Sequence, residues 1–358
     1  SGDTITVNAD AMADNTTLDI NGSSTFTVSN LEANTDAAGT SGTLSLAYTD
    51  VSGNAAEITT GSGATTVSGT TMGDTLTINA NNLANDTTLT QNGAAQQVVT
   101  SLKGDISATA LTGTLTVTTG DNSTDNDISI TTGTANTTIT ASGSGDTITV
   151  NADAMADNTT FDINGSATYT VSDLEANTDA AGSSGSLTLA YSNVTDSAAS
   201  LLTGSGNVVV NGGDAGDTVT VTGLSTNNQT FNAQASTSNF NITAGANNQT
   251  ITGSNTGNDT INGGTGTDTL SYAGGSNVDV TITDYSTQAG GSTGQGIDSF
   301  SNIDSLVGAT GTDILRGRTT ATDEVVTVTG ANTGTIRDSA STGSFSFSAI
   351  ENLSLSTG

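Results

Sequence analysis

One stretch, SGDTITVNADAMADNTT at positions 1–17, returns without a change at positions 144–160. A chain that repeats itself verbatim must give one segment the same neighbours twice. The pattern GDT-apolar-T opens at Gly2, Gly73, Gly145 and Gly216. A fixed period of this kind, here about 71 residues, points to stacked units that bury their apolar faces on one another. The second copy is diverged and reads GDTLTINANNLANDTT.

Each period holds short runs in which apolar residues alternate with polar ones, mostly threonine or serine: TITV, LDI, FTV, LSL, EIT and TTV in the first, then TLTI, TLT, QVV, TLTV, ISI and TIT. Threonine and β-branched residues favour strands. The Gly, Asn, Asp and Ser between the runs favour turns, and few segments carry a 3.6-residue apolar period. Three runs fall in about 32 to 39 residues, within the usual size of one solenoid repeat. The set recurs twice per period. The expectation is an all-β parallel β-solenoid (β-helix) with about three short strands per coil and two coils per period. Its core would be two ladders. One runs through Ile5, Leu44, Leu76, Leu115, Ile148, Leu187 and Val219. The other runs through Val7, Leu46, Ile78, Val117, Val150, Leu189 and Val221. Such a narrow core suits a chain that is 32% apolar, and the total absence of proline suits unbroken ladders. A string of β-sandwich modules of the same period is the competing architecture.

Thirty-five acids face four cations, Lys103, Arg316, Arg318 and Arg337, for a net charge of −31. Four cations cannot neutralise a phosphate track, which excludes nucleic acid as a partner. No apolar run reaches the length of a membrane-spanning helix, so membrane insertion is not expected. Without cysteine or histidine there are no zinc sites, thiol nucleophiles or imidazole bases. No leader peptide is visible, and the chain reads as a mature piece of a longer protein.

After residue 250 the pattern changes. Residues 263–271, GGTGTDTLS, match the nonapeptide G-G-x-G-x-D-x-apolar-x at every fixed position. SNTGNDTIN (254–262) matches in its second half, GATGTDILR (308–316) with one Gly-to-Ala change, and GGDAGDTVT (212–220) weakly. Here the chain resembles the RTX family of secreted calcium-binding repeat proteins. The resemblance implies β-roll turns toward the C-terminus. It also implies Ca²⁺ (Ca2+) held by turn carbonyls and carboxylates, since that ion takes six to eight oxygen ligands. The implied ligand-bearing residues are Gly257, Asn258, Asp259, Gly263, Gly264, Gly266, Asp268, Gly308, Gly311 and Asp313. Only two nonapeptides are tandem, fewer than in a full RTX array. A second motif recurs nearby: SFSNIDSL (299–306) returns as SFSAIENL (346–353).

Residues 1–252 are therefore read as a solenoid of two-coil repeats, 253–316 as RTX-like calcium-binding coils, and 317–358 as further irregular coils. An enzyme is not expected. The chain has five glutamates, of which Glu32 and Glu175 occupy one position in two repeat copies, and a catalytic group has no reason to recur down a repeat. The outward T-x-T/S pairs, such as Thr4/Thr6 and Thr75/Thr77, would also suit a flat ice- or carbohydrate-binding face. The leading expectation is an extracellular, calcium-stabilised structural protein of a bacterial cell-surface layer or fibre. Its partners would be copies of itself, with cell-surface polysaccharide as a further candidate. The stalk of a secreted adhesin is the alternative.

Overall fold

The computed structural model describes residues 2–13, 16–51, 55–120, 127–143, 145–192, 198–226, 228–318 and 323–355. The chain divides into two compact units, Ser1–Ser186 and Leu187–Gly358. Each is a parallel β-solenoid, and the described residues contain no helix. The parallel pairing excludes a string of sandwiches.

In the first unit, strands alternate between two sheets. One sheet stacks Thr4–Asn8, Thr25–Leu31, Leu44–Tyr48, Thr65–Gly69, Thr88–Gly93 and Asp105–Leu111 in turn. The other stacks Thr17–Asp19 on Asn34–Asp36, and Ala55–Thr59, Thr75–Asn79, Gln96–Leu102 and Leu115–Thr119 in turn. Ladder partners are as close in sequence as Leu89 and Ile106, or as far apart as Ile106 and Ile130. A coil is therefore two strands, one from each sheet, and shorter than the expected coil of three.

The difference traces to one strand. Asn34–Asp36 reads NTD and carries no apolar letter, yet it is a strand with Thr35 inward. The Thr35 hydroxyl lies 2.8 Å from the Tyr48 hydroxyl, so each buried oxygen has a partner. Counting it, the first repeat period holds seven strands. Seven strands are three and a half coils, so residues one period apart fall on opposite sheets. Ile5 pairs with Phe26 in the first sheet, and Leu76 pairs with Ala56 and Gln97 in the second. The expected single ladder through Ile5, Leu44 and Leu76 is thus split between the sheets. Only the verbatim repeat, two periods and seven whole coils on, brings a segment back to the same sheet: Ile148 pairs with Ile128 and Tyr169 in the sheet that holds Ile5. At about 4.8 Å per coil the identical surface returns after ~34 Å.

Side chains alternate across each strand. Leu44, Leu46, Tyr48, Leu76, Ile78, Ile148 and Val150 are buried. Facing outward on the first sheet is an unbroken file of hydroxyls, Thr6, Thr27, Ser45, Thr66, Thr90 and Ser107, in direct register. The diverged middle copy repacks the core. Where the flanking copies place Phe26 and Tyr169, it has Gln97, and where they place Ile20 and Ile163 it has Gln91. The Tyr169 hydroxyl donates to the Asn164 carbonyl (2.7 Å), and Gln97 Nε2 donates to the equivalent Asn92 carbonyl (3.0 Å).

The second unit follows the same two-sheet plan, with one sheet through Val208–Gly212, Gln229–Asn232, Gln249–Thr252, Thr269–Ser271 and Ser305–Val307. Antiparallel hairpins interrupt it at two places among the described residues, Asp279–Asp284 with Ala289–Thr293 and Glu324–Gly330 with Thr333–Asp338. They lengthen the path between paired coil strands, so that Ile261, paired with Ile242 on one side, meets its partner on the other side only at Phe300.

Candidate functional site: the acidic corners of the second unit

The nonapeptide turns sit at corners where one sheet hands over to the other. Their aspartates turn inward. Asp259, Asp268 and Asp313 are 1%, 0% and 0% exposed. Asp259 Oδ1 accepts the Phe240 N–H (2.8 Å) and its Oδ2 accepts the Ser254 N–H (2.7 Å). Asp313 repeats this with the N–H groups of Val278 (2.7 Å) and Ala309 (2.6 Å). Asp268 Oδ1 accepts the Gln249 N–H (2.8 Å), whereas its buried Oδ2 has no partner.

Each of these aspartates also donates its own backbone N–H to an acid of the following coil. Asp259 donates to Asp298 (3.0 Å), Asp268 to Asp304 (2.8 Å) and Asp313 to Glu351 (2.9 Å). The sequence reading did not single out these three acceptors, though a signal for two of them was present. Asp304 and Glu351 hold the same place in SFSNIDSL and SFSAIENL, and the nearby Asn302 and Ala349 share a left-handed backbone, φ 55° and 54°. The repeated motif is the seat of the nonapeptide turn. Its Asp or Glu takes the turn's amide, and Ser305 and Asn352 return N–H groups to the Asp268 and Asp313 carbonyls (both 3.0 Å).

A parallel file of asparagines flanks the aspartates. Asn239 Oδ1 accepts the Asn258 N–H (2.7 Å), and Asn258 Oδ1 accepts the Ile297 N–H (2.9 Å). Asn248 and Asn277 do the same for Thr267 and Thr312. A corner breaks the strand ladder and leaves amides that must find acceptors. Here Asn and Asp side chains provide them.

The glycines have two distinct reasons. Gly266 has φ +139°, a conformation closed to most residues. Gly263 does not; a Cβ there would run into the Asn302 carbonyl oxygen, so glycine is required by the close approach of the next coil. Gly257 and Gly308 meet the Ser238 and Ala349 carbonyls in the same way, Gly264 has φ +86°, and Gly311 abuts the Asn277 side chain.

The corner chemistry is dominated by burial without counter-charge. Burial, and next the charge of Asp298, pushes the Asp259 carboxyl up to about 7. Burial, with Asp304 beside it, raises Asp268 to about 6. Burial also raises Asp298, whose Oδ2 accepts the Ser292 hydroxyl (2.8 Å). Among the described residues, ion pairs lie away from these carboxylates, with Arg316 bidentate on Asp279 and Arg318 on Asp338 (3.0 Å). Among the described residues no three acidic groups converge so as to hold a metal ion. The residues expected around calcium are thus brought to successive corners, with Asp259, Asp268 and Asp313 committed to backbone amides and Asn258 to the asparagine file. Beside these corners, a polar cleft of about 490 Å³ opens between the loop of the first hairpin and the segment that follows the second, lined by Ser286, Gln288, Asp304, Thr335, Thr342 and Ser346.

No protein-family model, curated protein or solved structure matches the chain.

Proposed function

We propose that the chain is a structural repeat protein of a cell-surface layer or fibre, working outside the cell, in which copies associate and calcium offsets their charge. The observation that carries the proposal is the use made of the acidic residues. At the nonapeptide corners they hold coil to coil through backbone amides, a role in architecture. The remaining acids leave the surface strongly negative, as the net charge of −31 requires. Copies then repel one another over about 8 Å at physiological ionic strength, and association needs a screening or bridging cation. In cation-rich external water calcium serves as that counter-ion. The seven-coil repeat supports the same reading, because it presents one surface twice along the first unit. The polar cleft favours a second reading, the stalk of an adhesin that holds glycan hydroxyls at Asp304 and Gln288.

Light scattering and electron microscopy test the first reading. The purified chain should be dispersed in chelator and should form sheets or fibres when calcium is restored to roughly millimolar, the range of extracellular calcium sites. A chain that stays monomeric across that range at high protein concentration would overturn it.

A further inference from the structure

The polar cleft beside the corners has two walls that fix one another. One is the loop of the first hairpin, 285–288, whose Thr287 and Gln288 carbonyls accept the Asn302 and Ile303 N–H groups (2.9 and 3.3 Å). The other is the segment 342–346, which runs into the strand Phe345–Ser348. The two lie close: a Cβ at Gly343 would run into the Tyr285 carbonyl oxygen. The Tyr285 hydroxyl in turn donates to Glu324, where the second hairpin begins (2.6 Å). Asp304, Ser346 and the ladder partner of Ser346, Thr335, complete the lining. The sheet continues past Thr335 through Glu324–Gly330, so the cleft lies on the flank of the coils.

Gln288 ties the walls together. Its backbone is left-handed, φ 47°, a conformation that glycine or asparagine holds more easily. The side chain explains glutamine there. Its Nε2 donates to Asp304 Oδ1 and to the Ser344 carbonyl (3.3 Å), which leaves Oε1 as an acceptor. Asp304 is held from both sides, because its Oδ2 takes the Asp268 N–H (2.8 Å). Each carboxylate oxygen can accept about two hydrogen bonds, so each keeps capacity for one more. Two of the hydroxyls in the lining spend their protons within the protein, Ser286 on Asp284 (2.7 Å) and Ser346 on the Asp304 carbonyl (3.2 Å). The cleft thus offers more acceptors than donors and suits a ligand rich in O–H groups. No cation lines it. A phosphate, sulfate or carboxylate would bring only acceptors and would be repelled by Asp304.

We propose that this cleft is a binding site for a neutral saccharide of one or two rings. Two neighbouring ring hydroxyls donate to the two oxygens of Asp304, and a third donates to Gln288 Oε1. The proposal rests on the glycan-holding reading given above and names its sugar class and its contacts. The volume of about 490 Å³ falls within the range of small-ligand sites, roughly 300–1,000 Å³. No aromatic ring lines the cleft, so little apolar area is buried and the affinity expected is roughly millimolar.

Saturation-transfer NMR on the full chain is the test. The probes are glucose, galactose, mannose, cellobiose, lactose and maltose, with glucuronic acid and glucosamine as the charged counterparts. At least one neutral sugar should bind, with a Kd of roughly 1–10 mM, and glucuronic acid should bind about tenfold more weakly or worse. Thr342→Phe and Ser346→Phe, both at exposed lining positions, should each weaken the neutral sugar at least about tenfold while the unfolding transition stays where it was. Thr230→Phe, exposed on a strand away from the cleft, should leave binding unchanged. Sugar binding that survives both cleft variants would overturn the proposal and leave the glycan-holding reading in place, with its site elsewhere. Absence of binding by every probe at about 50 mM would overturn both. Glucuronic acid or glucosamine binding as tightly as the neutral sugars would overturn the ligand class, because charge would then decide recognition.

Discussion

Replacing Gln91 by isoleucine should stabilise the first unit. Gln91 faces the core and is 0% exposed, and neither its Nε2 nor its Oε1 has a hydrogen-bond partner. A buried polar group left in this condition costs about 1–3 kcal/mol. The chain supplies the replacement itself: Ile20 and Ile163 fill the same position in the flanking copies at 5% and 0% exposure. The two side chains are close in volume, so the swap removes the stranded amide without opening a cavity. The expected gain is about 1–3 kcal/mol, or about 2–4 °C in Tm per kcal/mol for a unit of this size. Urea unfolding followed by circular dichroism would read it as a higher midpoint at unchanged slope. Gln97→Ile is the internal control. It removes the hydrogen bond to the Asn92 carbonyl and should gain less. A neutral or destabilised Gln91→Ile would show that the amide is satisfied in the folded protein, and would refute the packing derived for the middle copy.

Three other outcomes follow from the same geometry. Ile148 is 0% exposed, and Ile148→Ala should lose about 2–5 kcal/mol, read by chemical denaturation. Asp313→Ala strips the acceptor from the buried Val278 and Ala309 amides and should cost about 1–3 kcal/mol for each, read as a lower unfolding midpoint of the second unit. The folded-state carboxyl of Asp259 lies near 7, above its ordinary value of 3.8, so the folded unit binds that proton more tightly than the unfolded chain. Stability of the second unit should therefore rise as pH falls from about 7 toward 4, and calorimetry should find that slope flattened in Asp259→Asn.

The alternation of apolar and hydroxyl residues made the all-β, parallel solenoid legible, because a thin core still needs an inward apolar residue on most strands. What the letters concealed was the strand without one. Asn34–Asp36 buries only a threonine, and Asp105–Leu111 hides its inward Ile106 and Ala108 in an unremarkable stretch. Six strands per period divide into coils of three; the seventh makes coils of two and throws successive copies onto opposite sheets. The corners were legible as turns, and their aspartates as chemically special. The amides they accept were not, because the nonapeptide spacing does not mark which amides of the preceding coil come within reach of each carboxylate. Those amides lie well back along the chain, at Phe240 for Asp259 and Val278 for Asp313.

Asp268 tests the role of these carboxylates most directly. Its Oδ1 accepts the Gln249 amide and its Oδ2 is buried without a partner. Asp268→Asn keeps the first oxygen and removes a buried charge. Thermal unfolding of parent and variant, each in chelator and in millimolar calcium above neutral pH, should show the variant equal to or more stable than the parent, by the same margin in both solutions. A variant that matches or exceeds the parent in chelator but falls below it in calcium would make Asp268 a cation ligand, and would contradict the assignment of the nonapeptide carboxylates to the backbone.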